Sequence, residues 1–110
     1  MATYRILFWK EIPTQIKYND DFNSTKSYIL SDFFQQAVDS IAMFDGSINS
    51  DEYLNAWSWG VETETNFKPE EIVDNYNSNI PKKFLNKIKA LHENGNRNPT
   101  PGAIDSWFKN

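Results

Sequence analysis

Few side chains in this sequence carry reactive chemistry. His92 is the single histidine and precedes Glu93. A general acid or base needs a partner that orients it, and no motif sets a Ser or Asp against His92. The simpler reading is a solvated helix end, where the helix dipole favours a cation. Glu62 and Glu64 lie two apart in an alternating stretch. On a strand both would point the same way, roughly 7 Å apart. Such a pair could ligate a hard cation or divide acid and base roles. A solvated strand face explains it more simply. Asp20-Asp21 and Asp51-Glu52 lack the oxygen spacing and glycine of a calcium loop. Trp57-Ser58-Trp59 offers stacking faces to bases or sugars. Nucleic acid also demands a cationic track, and the nearby charges are Glu62 and Glu64.

The densest cluster is Phe8-Trp9-Lys10-Glu11-Ile12-Pro13-Thr14-Gln15-Ile16. A strand running into Ile-Pro can present Trp9, Lys10, Glu11, Pro13 and Gln15 at a sheet end, where many sites sit. Trp57 and Trp59 are candidate companions. Adjacent residues of one strand point to opposite faces, which argues against Lys10 and Glu11 sharing a site. The simpler reading is a core strand with a proline stop.

Composition narrows the classes further. The 110 residues suit one domain. There is no cysteine, which excludes disulfides, thiolate metal sites and cysteine nucleophiles. The net charge of −4 argues against a broad phosphate-binding surface. The four isolated glycines build no phosphate loop. No apolar run is long enough to span a membrane, and Met1–Arg5 does not open a secretory leader. The expectation is a cytoplasmic domain with no cofactor and no metal.

These residues need elements to position them. Tyr4–Ile12 alternates with apolar side chains on both faces, as in a strand buried on both sides. Pro13 lacks an N–H and is expected to end easy pairing. Gln15–Tyr18 suits a short second strand. Asn19-Asp20-Asp21 reads as a turn and 23–27 as loop. Phe34, Ala37, Val38, Ile41 and Ala42 recur at helical spacing, with Ser31 or Asp32 to cap and Gly46 to stop. Ser50 caps a short helix through Trp57. Trp59–Phe67 alternates like a half-exposed strand. Pro69–Glu93 carries a helical stripe interrupted at Pro81, either one kinked helix or two.

Residues 95–102 contain no apolar side chain and read as an extended, mobile linker. Beyond it, Ile104, Trp107 and Phe108 share one helical face and could dock on a groove of this chain or a neighbouring one.

The Phe8–Ile16 cluster resembles the aromatic-Trp-basic-acidic-Ile-Pro-x-Gln-aliphatic signature of the small bacterial virulence factor domain family. The likeness continues through Phe34, Ala37, Asp39, Ala42-Met43 and Gly46, then Asp51, Tyr53-Leu54, Trp57 and Gly60. It departs at Pro81, inside a helix that relatives leave uninterrupted, and it does not reach the segment from Asn96 onward. The resemblance carries over no catalytic residues. It implies a domain found fused to other modules or standing alone near folate- and corrinoid-dependent one-carbon metabolism, which suits an accessory subunit.

The expected architecture is therefore α+β. A sheet of two to three strands is covered by about three helices over residues 1–94, with a linker and aromatic peptide over 95–110. The expected function is a non-catalytic interaction or accessory module with a protein partner, binding neither nucleic acid nor membrane, with self-association through the aromatic peptide as a further option. The alternative is a small-molecule or enzymatic site near the Trp9–Gln15 strand end.

Overall fold

The structure, a computed structural model, describes residues 2–20, 22 and 24–108. The expected turn at Asp21, the start of the loop at Asn23 and the final two residues lie outside them.

Two strands form the centre. β1 (Ala2–Trp9) and β2 (Ile12–Asn19) make an antiparallel hairpin that sets Ile6 opposite Ile16 and Trp9 opposite Ile12. Pro13 does not end the pairing. It stands opposite Phe8 at an irregularity where the partners shift by one residue, so its missing N–H breaks no regular ladder. Thr14 closes the irregularity by donating its hydroxyl to the Leu7 carbonyl at 2.8 Å.

β3 (Thr25–Ile29) pairs antiparallel with β2, although its polar composition reads as loop. It is an edge strand with a mostly exposed surface, so its stability comes from the ladder rather than from burial. On the other side of β1, β4 (Trp57–Trp59) pairs with the strand's end and β5 (Thr63–Thr65) with its start. The order is β3-β2-β1, with β4 and β5 sharing the last position. Five strands thus replace the two to three expected. The alternating Trp59–Phe67 stretch is split because the chain at Gly60 leaves the ladder and donates its N–H to the Ile6 carbonyl at 2.8 Å.

Four α-helices are present among the described residues, one more than expected. α1 (Asp32–Asp45) starts at Ser31, whose hydroxyl accepts the Phe33 N–H, and stops at Gly46 with φ of 82°. α2 (Asp51–Asn55) is capped by Ser50 and ends before Trp57, which joins the sheet opposite Trp9. The Pro81 stretch separates two helices, α3 (Pro69–Ser78) and α4 (Phe84–Glu93). Pro69 takes the first helical position of α3, and the Glu71 carboxylate accepts the Lys68 N–H at 3.1 Å.

One core joins these pieces. Ile6, Phe8, Ile12 and Ile16 from the hairpin meet Phe34, Val38 and Ile41 of α1, Ile72 and Tyr76 of α3, and Phe84 and Ile88 of α4. The C-terminal segment belongs to the same core. Ile104 and Phe108 are buried, and the Phe108 ring lies 5.1 Å from Tyr76 and 5.7 Å from Phe34. The aromatic peptide therefore docks on its own chain. Its residues 105–108 form a short 3-10 turn.

Candidate functional site

The hairpin tip is where the sequence concentrates chemistry, and the tip explains how Lys10 and Glu11 meet. They are not successive residues of one strand. They are the two loop residues between Trp9 and Ile12, and Lys10 has φ of 52°. A tight loop with a positive φ at its first residue matches the twist of the strands. For a lysine that conformation costs about 1 kcal/mol, so surrounding contacts must hold it. The expectation that the two side chains point apart fails for this reason.

Both side chains turn into a buried ion network. The Lys10 ammonium sits 2.8 Å from Asp45 Oδ2 and 2.8 Å from the Ser47 hydroxyl, with Glu52 at 3.3 Å on the rim. Asp45 ends α1, and Ser47 opens the turn that follows. The Glu11 carboxylate, 1% exposed, receives Arg97 through two bonds, Nε to Oε2 and Nη2 to Oε1, both 2.7 Å. Arg97 Nη1 reaches Asp45 Oδ2 at 3.0 Å and lies 3.4 Å from His92 Nδ1. Asp45 is thus the shared acceptor that links Lys10 to Arg97. Burial pushes the Asp45 carboxyl up, yet the bonds from Lys10, Ser47 and Arg97 outweigh it and hold it at about 2. Burial likewise opposes the Arg97 charge, but Glu11 and Asp45 raise its affinity for the proton.

The arrangement is a structural clamp. Two buried cations face two buried anions, and the planar guanidinium matches the carboxylate with two parallel bonds. Such a network adds little net stability but strongly penalises the loss of one member. It holds the hairpin tip, the end of α1 and the start of the C-terminal segment in one geometry. Arg97 and Asp45 are the functional residues that sequence reasoning misses. Their signal is faint: Arg97 is the lone charge in an otherwise uncharged stretch, and Asp45 looks like any helix-end acid.

The remaining candidates separate into two sets. Trp9 and Pro13 are fully buried and present nothing to a partner. The Trp9 indole donates to the Tyr53 carbonyl at 2.9 Å, and its ring lies 5.9 Å from the Tyr53 ring at a tilt of 46°. Gln15, Trp57 and Trp59 instead gather on the face of the sheet opposite Ile6 and Phe8. The register sets Trp59 opposite Leu7, Leu7 opposite Gln15 and Gln15 opposite Ile29, so one row crosses four strands. Trp59 and Ile29 are 39% and 76% exposed. A shallow groove of about 280 Å³ runs beside the row, lined by Leu7, Gln15, Ile29, Gln35 and Trp57. The Lys17 ammonium lies 5.7 Å from the Trp59 ring centre, and Arg5 donates to the Gly60 carbonyl. Ile104, Trp107 and Phe108 lie elsewhere, against α1, α3 and α4; the Trp107 ring packs on Phe84 at 5.7 Å under Lys87.

The acidic pair of the Trp59–Phe67 stretch meets the sheet at one residue of β1, Thr3. Glu62 lies between β4 and β5 and accepts the Thr3 hydroxyl at 3.1 Å, while Glu64 sits in β5 opposite Thr3. Among the described residues no helix is long and apolar enough to cross a membrane.

An antiparallel α+β domain with a clamped hairpin tip is the class of protein that this fold and site define. A family model described as "Virulence factor" matches residues 7–93, most of the chain, and the chain belongs to that family. No curated protein and no solved structure matches it. The matched span contains Lys10, Glu11, Asp45 and the Trp57–Trp59 strand, and it ends before Arg97 and the docked segment.

Proposed function

We propose that this domain is a non-catalytic protein-interaction module, an accessory subunit of the bacterial cytoplasm, and that its contact surface is the open face of the sheet. The observation that carries this reading is the Trp59–Leu7–Gln15–Ile29 row. It places the exposed Trp59 and Ile29 at its two ends with the half-buried Leu7 between them, where a solvated sheet face favours polar side chains. Tryptophan is a preferred anchor in interfaces because it buries a large area with little side-chain freedom to lose. Lys17 and Arg5 border the row, so the partner is a different protein that offers an apolar side chain flanked by carboxylates. The residues with the most acid–base chemistry, Lys10 and Glu11, are engaged in holding the fold. The tie to one-carbon metabolism rests on the family resemblance alone.

The test is a photoreactive side chain placed at Ile29 in the full-length chain in its native host, with a second copy of the experiment at Glu93 as control. The expected result is one protein adduct at position 29 that Trp59→Ala and Lys17→Glu both abolish, with the variants' melting temperatures unchanged. An adduct equal at both positions, or one insensitive to both substitutions, overturns the reading. An adduct between two copies of this chain would replace it with self-association.

A further inference from the structure

The two edges of the sheet differ. On one side the ladder breaks at Gly60 between β4 and β5, strands of three residues each. On the other, β3 pairs with β2 over five consecutive residues without an irregularity. A broken edge resists strand pairing, and a regular one invites it.

The hydrogen bonds flanking β3 show which of its backbone groups are spare. Leu30 donates its N–H to the Thr14 carbonyl at 3.1 Å, and Asp20 donates to the Ser24 carbonyl at 3.0 Å. Bonded and non-bonded pairs alternate along an antiparallel ladder. Lys26 and Tyr28, in step with Ser24 and Leu30, therefore bond to β2. Thr25, Ser27 and Ile29 direct their N–H and C=O outward, and all three are exposed.

A strand added there would continue the rows of the open face. One row ends in Ile29. The next runs Arg5–Lys17–Ser27, and in it two cations stand directly opposite each other. Like charges so placed are destabilising. Arg5 turns to the Gly60 carbonyl and Lys17 to the Trp59 ring, contacts that do not neutralise them. Glu62 borders the same hollow of about 250 Å³ and accepts the Thr3 hydroxyl, which leaves two cations to one acid among its lining residues. A second copy paired symmetrically about Ser27 would align Arg5 and Lys17 of both chains in one row of four cations. The charges therefore favour an acidic strand over a second copy, and Lys26, exposed on the edge itself, adds to that bias.

We propose that the partner contributes an extended strand running antiparallel along β3, with an apolar side chain beside Ile29 and, two positions further on, a carboxylate beside Ser27. This rests on the reading of the open face as the contact surface and names the form its partner takes. Main-chain bonds to Thr25, Ser27 and Ile29 supply affinity, and the apolar-x-acidic spacing supplies specificity.

The probe is the acetylated, amidated peptide Thr-Val-Thr-Glu-Thr-Val-Thr, titrated into the full-length protein and followed by amide NMR. Saturable shifts are expected at the Thr25, Ser27 and Ile29 amides. N-methylation of the peptide's glutamate should abolish them, because that N–H is the one offered to the Ser27 carbonyl. Lysine in place of the glutamate should weaken binding roughly two- to fivefold, and Lys17→Glu should reverse the preference. Absence of saturable shifts, unchanged binding of the N-methylated peptide, equal binding of the glutamate and lysine peptides, or shifts confined to the Trp59 indole overturns the proposal. In the host, Ser27→Pro removes an outward N–H without touching the β2 ladder and should abolish the photoadduct at position 29. An adduct that survives this substitution overturns strand addition and leaves the contact face standing. No adduct in the parent chain is instead the failure of that underlying reading.

Discussion

Arg97 grips Glu11 through two 2.7 Å hydrogen bonds across 86 positions of sequence. The pair joins a hairpin loop to a segment that has no apolar residue of its own until Ala103. It explains why that segment follows one path over the domain.

Breaking the clamp on one side should be costly. Arg97→Met leaves the Glu11 carboxylate buried without its partner, and the expected loss is about 3–5 kcal/mol. The double variant Glu11→Leu, Arg97→Met should recover much of it, since no charge is then stranded. Urea unfolding of the three proteins measures both. A single variant as stable as the parent would mean that the ion pair is not closed in solution.

The docked segment should behave as core. Phe108→Ala removes a ring packed against Phe34, Tyr76 and Phe84 and should cost about 3 kcal/mol or more. Ser106 is exposed, and Ser106→Ala should change stability by less than about 0.5 kcal/mol. Equal effects from both would show that the segment does not contribute to the fold.

Acid should loosen the clamp through Asp45. Its carboxyl is held at about 2, below the ordinary 3.8, so the folded state binds the proton less tightly than the unfolded chain. The resulting stability is present above 3.8 and is lost as pH falls toward about 2. Asp45→Asn should be less stable at neutral pH and show a shallower fall across that window. Denaturation midpoints measured from pH 7 downward decide this; parallel curves for the two proteins would rule Asp45 out as the titrating group.

Gly60 tests the split between β4 and β5. A Cβ there would stand 2.8 Å from the Phe8 ring, which is itself buried in the core. Gly60→Ala should therefore cost about 1–3 kcal/mol by overpacking. Circular dichroism melting would show it, and a melting temperature within error of the parent would mean that Phe8 has room to move.

Local patterns explain which elements were legible in the sequence. The α1 stripe, its Ser31 cap and its Gly46 stop depend on contacts within a few residues, and they appear where expected. The Ser50 cap of α2 does too, while β1 starts as expected but stops at Trp9 rather than Ile12, because the chain turns back at Lys10-Glu11. β3 was not legible because a polar edge strand owes its form to the neighbour it pairs with. Of the candidate site residues, Gln15, Trp57 and Trp59 share a face through the register of three different strands, which period alone does not reveal.

The sequence by itself determined the α+β class, the α1 stripe with its cap and stop, and the first strand as far as Trp9, because these follow from side-chain period and capping chemistry over short distances. Only the tertiary structure decided that Lys10 and Glu11 share one network, that Arg97 completes it, and that Ile104 and Phe108 finish the core. Those outcomes are set by charges and rings that meet across most of the chain. A buried charge must find its counterion wherever the fold places one, and its sequence position carries no record of the choice.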